Sequence, residues 1–164
     1  MVVRAATELL CNLLQSPLAR EKYCNGSKQG AQRVKILLAL VDAEDQATRS
    51  AAGGALAGIT EIEGGCAAVL GMDEGKGVKM LLGLCEEEDE GLRHRGVVCV
   101  LNLLMGEGEL GRRGAKVVRE RGGMEVLKEC VKKSRSQEVV DLAVEALKVL
   151  MQKEEGSRRA VVKR

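Results

Sequence analysis

Small and branched aliphatic residues recur along the chain in one frame: Ala6/Leu10/Leu13, Ala52/Leu56/Ile59, Gly96/Val100/Leu103 and Ala143/Leu147/Leu150, at intervals of 46, 44 and 47 residues. Positions four and seven after the small residue lie on its own helical face, and the small residue leaves room beside it for another helix. A helical repeat with a period in the forties predicts a stacked solenoid rather than a closed globule.

A helix that recurs should carry recurring ends. Seven residues before the small residue stand Asp45, Asp89 and Ser136, each able to accept from a free amide of a first helical turn, and the fourth such position falls before Met1. The frames and caps together predict third helices over about 2–15, 46–61, 90–105 and 137–152, and no sheet. A second apolar run repeats in step: VKILLAL from Val34, VKMLLGL from Val78 and MEVLKEC from Met124, each behind glycine-bearing sequence such as Gly122-Gly123. These runs are middle helices. A short first helix precedes them, read in Arg112–Gly123, in Cys66–Leu70 and in Glu21–Cys24. Glycine just past a helix end takes the left-handed conformation without steric cost and turns the chain into the next helix.

Three helices per unit, this period, a GG turn before the middle helix and an A-x-x-x-L-x-x-L third helix resemble the armadillo repeat. The segments RAATELLCNLL (Arg4 to Leu14), DQATRSAAGGALAGIT (Asp45 to Thr60) and HRGVVCVLNLL (His94 to Leu104) resemble the C-terminal part of the UCS domain of myosin-directed chaperones. The resemblance implies an all-α, right-handed armadillo-type solenoid whose third helices line a concave groove. It also implies that the residue before the last aliphatic of each frame faces a bound peptide, here Asn12, Gly58, Asn102 and Val149. One turn earlier stand Glu8, Gly54, Val98 and Glu145, and Arg95 joins Glu8 at the rim. The chain has no tryptophan, which departs from the tryptophan-asparagine ladder of nuclear import adaptors. An asparagine carries donor and acceptor and can pair with the backbone of an extended segment, or it can tie neighbouring helices together. Gly53, Gly54 and Gly58 pose a similar choice. Each costs about 1 kcal/mol relative to alanine inside a helix, which either close packing or a smooth stretch of groove offsets.

The repeat phase divides the chain into 1–16 (the end of a repeat), repeats at 17–61, 62–105 and 106–152, and 153–164 as the start of a further one. RRAVVKR at Arg158–Arg164 echoes RRGAKVVRE from Arg112, so the expectation is a single armadillo segment beginning and ending within repeats, as in a fragment of a larger chaperone.

Composition narrows the function. The chain is 45% hydrophobic and 30% charged, and its longest apolar run falls well short of the roughly 20 residues of a membrane span. No signal peptide pattern opens it, so the expected compartment is the cytoplasm. A formal charge of +2 without a basic stripe argues against nucleic acid as a partner. Six cysteines show no C-x-x-C pairing and suit buried free thiols in a reducing setting. Asn25-Gly26-Ser27 is a formal glycosylation sequon without a secretory signal.

No catalytic constellation stands out, and neither a cofactor nor a metal is expected. His94 is the sole histidine and sits between Arg93 and Arg95, as on an exposed turn of helix. The run Glu86–Glu90 reads as a solvated link ending in the Asp89 cap. GMDEGKG from Gly71 and GEGELG from Gly106 lack the order of a phosphate loop and read as links. The resemblance therefore implies a non-enzymatic solenoid that holds the myosin heavy chain motor domain while it folds. It also implies cooperation with Hsp90 through a separate tetratricopeptide module, which these residues do not contain. The alternative is a generic armadillo scaffold for signalling or trafficking partners.

Overall fold

Each long helix begins where a side-chain acceptor stands ahead of an apolar run. Asp45 accepts from the Thr48 amide at 2.9 Å, Asp89 from Leu92 at 2.9 Å and Ser136 from Val139 at 3.5 Å. All three expected caps therefore function as caps. The structure, a computed structural model, describes the backbone of residues 1–162 and the side chains of residues 1–153. Its helices are α1 (Val2–Leu13), α2 (Pro17–Tyr23), α3 (Lys28–Leu40), α4 (Gln46–Thr60), α5 (Glu63–Leu70), α6 (Lys76–Glu86), α7 (Glu90–Met105), α8 (Gly108–Glu120), α9 (Gly123–Lys133) and α10 (Gln137–Val162). No strand occurs among the described residues.

The expected third helices are α1, α4, α7 and α10, and their starts agree with the caps. One end differs: α10 runs on to Val162, through the place where a link was expected near residue 153. The sequence there contains no proline, and its one glycine, Gly156, does not stop the helix. The side chains of the Arg158–Arg164 echo lie outside the described residues. The first helices α2, α5 and α8 are longer than their clearest sequence cores, because Pro17 at the first position of α2 and exposed polar turns extend them.

Packing follows the repeat. Third helices pack in chain order, α1 on α4, α4 on α7 and α7 on α10; middle helices stack as α3 on α6 and α6 on α9; α5 packs on α8. Each neighbour thus meets only neighbours, as a solenoid requires. The frame residues Ala52, Leu56, Ile59, Val100, Leu103, Ala143 and Leu150 are fully buried, whereas Leu147 is half-buried. Burial of each such leucine stabilises the fold by about 1.5–3 kcal/mol. Gly96 shows why the small position must be small: a Cβ there would lie 2.6 Å from the Cys85 amide of α6. Helix α7 meets α4, α6, α8 and α10, so it is apolar on most of its circumference and lacks a single stripe.

The first frame departs from the other three. In α1 the buried residues facing α4 are Thr7 and, just past its end, Leu14, whereas Ala6 is exposed and Leu13 is 60% exposed. No further helix packs on that side among the described residues.

The turn chemistry also follows the glycines. Gly122 (φ 78°) closes α8 and opens α9, and Gly75 (φ 67°) opens α6 one unit earlier, after a 3-10 turn at Asp73–Gly75. Both need the left-handed backbone that glycine adopts freely.

Candidate functional site

Because α1, α4, α7 and α10 lie side by side, residues one period apart line up in rows. The first row is Asn12 (exposed), Gly58, Asn102 and Val149 (all half-buried); the second is Glu8, Gly54 and Val98 (half-buried) and Glu145 (exposed). The residues the sequence singled out therefore share one face of four adjacent helices.

Their chemistry differs along the rows. Asn102 donates its amide nitrogen to the Ala57 carbonyl (3.3 Å) and the Thr60 hydroxyl (3.1 Å), bracing α7 against the end of α4. Asn12 makes no side-chain hydrogen bond within the described residues and points to solvent. Glu8 is held by Arg4 one turn earlier at 2.8 Å. The two asparagines thus stand in opposite situations, one bonded to a neighbouring helix and one exposed to solvent.

The glycines of α4 make room for arginines. A Cβ on Gly53 would lie 3.3 Å from Arg95 Cδ, one on Gly54 3.1 Å from Cys11 Sγ and 3.5 Å from Arg95 Nε, and one on Gly58 3.4 Å from Arg20 Cδ. Arg95 donates to the Ser50 hydroxyl. Arg20 donates to the Glu61 carboxylate and to the Gly58 carbonyl. Two guanidinium stems therefore lie along α4, and the packing account of these glycines holds with side chains rather than helix backbones as the close neighbours. Arg20 was not legible as a site residue, since only the unexplained Gly58 hinted that something lay over it. Burial pushes the Cys11 thiol up, against the pull of Arg95.

At the C-terminal ends of α4 and α7 the face deepens into a cleft of about 500 Å³ lined by Thr60, Glu61, Glu63, Asn102, Met105 and Glu107. Its carboxylates Glu61, Glu63 and Glu107 are offset by Arg20, which pairs with Glu61, by Lys153 on the Gly106 carbonyl, and by the N-terminal turns of α5 and α8, which meet the C-terminal ends of α4 and α7 here. Met105 stands 57% exposed at its edge.

Side-chain bonds spaced near one period join successive units. Gln46 reaches Asp89 (3.0 Å), Arg113 the Leu70 carbonyl (2.8 Å), Lys153 the Gly106 carbonyl (3.2 Å) and His94 the Glu138 carboxylate (3.3 Å). The acidic run is divided among such tasks: Glu87 pairs with Arg49, Asp89 caps α7, and Glu90 accepts from Ser134 (2.5 Å) and from the Arg135 amide (3.1 Å). All six cysteines are free thiols. Among the described residues no group of three His, Cys, Asp or Glu is placed to hold a metal, and no helix is long and apolar enough to cross a membrane.

These features define an all-α armadillo-type solenoid. No protein-family model matches the chain. Ring assembly protein 3 of Schizosaccharomyces pombe is 36% identical over 106 residues, which are 63% of this chain and 14% of that protein. Protein unc-45 homolog B of Xenopus laevis is 30% identical over 148 residues, 88% of this chain and 15% of that protein. The structure of UNC-45 from Drosophila melanogaster superposes with a TM-score of 0.76 at 27% identity, over 92% of this chain and 18% of that one. A designed armadillo repeat protein in complex with the peptide (KR)4 superposes at 0.62 with 18% identity, over 89% of this chain and 64% of that one, a likeness of fold alone. The chain has the armadillo-type fold, and over the aligned residues it is homologous to ring assembly protein 3 and UNC-45. It spans about one seventh of the length of the curated relatives it matches.

Proposed function

We propose that this chain is a protein-binding part of a myosin chaperone, in which the face formed by α1, α4, α7 and α10 holds a segment of the myosin heavy chain motor domain while it folds. One observation carries this reading. The structure of UNC-45 superposes over 92% of this chain, and the four third helices of this chain carry one row in register, with the exposed Asn12 on α1 and a cleft beside Asn102 between α4 and α7. The mechanism involves no covalent chemistry. A braced surface binds exposed segments and lowers the population free to aggregate. Glu8, Asn12, Gly54, Gly58, Arg95, Val98, Asn102, Glu145 and Val149 form the surface, with Asn12 directed at the client backbone and Asn102 bracing it from behind. The working compartment is the cytoplasm, where the thiols stay reduced. Cooperation with Hsp90 rests on residues outside this chain, and neither nucleic acid nor membrane is a partner.

Thermal aggregation of a purified myosin motor domain, followed by light scattering with and without the chain, tests the proposal. Suppression at near-stoichiometric ratios, and capture of the motor on immobilised chain, are the expected results. Unchanged aggregation together with no capture would favour the general scaffold instead.

A further inference from the structure

A trough of about 410 Å³ lies between α3, α5 and the start of α6, and it shares no residue with the row of third helices. Lys28 and Lys35 line it from one face of α3, with Ala31 and Gln32 between them, and Lys76 lines it from α6. Its floor is Ala31, Ala67 and Ala68, which also line a smaller cavity of about 160 Å³ alongside, so the depression runs on between α3 and α5. The matching place one unit on is filled. Gly75 stands three residues before Val78 as Ala31 stands before Val34, and a Cβ there would lie 2.9 Å from both Val117 Cγ1 and Arg121 Nε. An open trough therefore does not follow from the repeat itself.

The charges of the trough lack internal partners. Lys28, Lys35 and Lys76 make no ion pair among the described residues, whereas Lys116, Lys132 and Lys133 each pair with a glutamate. Asp73 is the one carboxylate of the described lining, so three cations stand against one anion. Two of the lysines also stand where a cation costs stability. Lys28 and Lys76 are the first residues of α3 and α6, at the positive end of the helix dipole, and neither first turn holds an acidic residue. The first turns of α7, α8, α9 and α10 each hold a glutamate instead. Spacing narrows the ligand. Seven residues of helix separate Lys28 from Lys35 by about 10 Å, close to the roughly 9 Å between residues three apart, one turn, in a polyproline II segment. No aromatic ring lines the trough, so a nucleic-acid base would find no stacking platform there, whereas an alanine floor admits a peptide backbone.

We propose that this trough docks an acidic, extended segment of a partner protein, with carboxylates three residues apart held by Lys28 and Lys35, a further one by Lys76, and the backbone lying over the alanines. Because the third helices are not involved, the client face stays open when the trough is filled. Fluorescence anisotropy on the whole chain tests this with a fluorescein-labelled peptide of three Glu-Pro-Ala repeats, against the same peptide with glutamine for glutamate. The expected result is saturable binding of the glutamate peptide alone, weakened by salt. The variant Lys28→Gln/Lys35→Gln/Lys76→Gln should bind at least about tenfold more weakly, the scale of three exposed ion pairs, with a melting temperature no lower than that of the wild type. Lys116→Gln/Lys132→Gln/Lys133→Gln removes the same charge elsewhere and should change binding less than about twofold. Ala31 is exposed, so Ala31→Leu should fold, fill the floor while keeping the lysines, and abolish binding. The proposal is overturned if the glutamate peptide fails to bind, if the two peptides bind alike, if both triple variants lose affinity equally, or if Ala31→Leu binds as the wild type does. Single-stranded poly(U) binding more tightly than the peptide through the same three lysines would overturn it as well.

Discussion

Asn12 and Asn102 carry the same side chain in the same register, yet one is committed to Ala57 and Thr60 and the other is not. Truncation should separate them. Asn102→Ala is expected to lower stability by about 1 kcal/mol in urea melts, through loss of two inter-helix donations. Asn12→Ala is expected to leave the melt unchanged and to weaken motor binding, read by titration calorimetry. The reverse pattern would exchange their roles. Glycines allow an equally sharp comparison. Nothing lies within 4 Å of a Cβ built on Gly83, so Gly83→Ala should stabilise by about 0.5–1 kcal/mol. A Cβ on Gly114 would meet the Leu103 carbonyl at 2.3 Å, so Gly114→Ala should destabilise by about 1–3 kcal/mol. Both signs are checked by melting temperature.

Among the elements, α4 and α7 form the centre of the stack, and their inward leucines hold it. Leu56→Ala and Leu103→Ala are each expected to cost about 2–5 kcal/mol in chemical denaturation. Arg135→Ala should change stability by less than about 0.5 kcal/mol, because its backbone amide rather than its side chain meets Glu90. Glu90 joins α7 to the link before α10. The Ser134 hydroxyl and the Arg135 amide, with Arg93 nearby, hold its carboxyl below the ordinary value of 4.5. A carboxyl lowered by folding stabilises the protein above its unfolded pKa, and that contribution is lost as pH falls through the folded one. Wild type should therefore exceed Glu90→Gln by a constant margin above about pH 5, and the margin should shrink in melts taken below pH 4.5. A margin independent of pH would remove Glu90 as an ionised fastener.

At the scale of the whole molecule, stability rests on contact only between neighbouring units, and the proposed function draws on the same feature. Bonds such as Gln46 to Asp89 and Asn102 to Thr60 repeat near the helical period and hold the third helices in line. On the proposed function, helices held in line would present a client with a surface already ordered, which lowers the entropy cost of binding. Weakening an internal rung should therefore reduce client affinity even where the rung touches no client. Asn102→Ala, assayed for motor capture beside Asn12→Ala, measures how far bracing and direct contact contribute.

What the sequence determined by itself were the features with local causes. Asp45, Asp89 and Ser136 were readable because a cap needs only the amides three residues on, and the third helices because their frame recurs four times. The resemblance of three third helices to the UCS domain was legible for the same reason, since it lies in contiguous residues. The tertiary structure alone decided which neighbours those residues meet. Arg20 over Gly58, Arg95 over Gly53 and Gly54, Cys130 against Cys85 and the different situations of Asn12 and Asn102 all join residues roughly 40 or more positions apart. Periodicity shows which face a side chain takes; which partner waits there depends on how one repeat is offset against the next, and that is set by the packing of all the helices together.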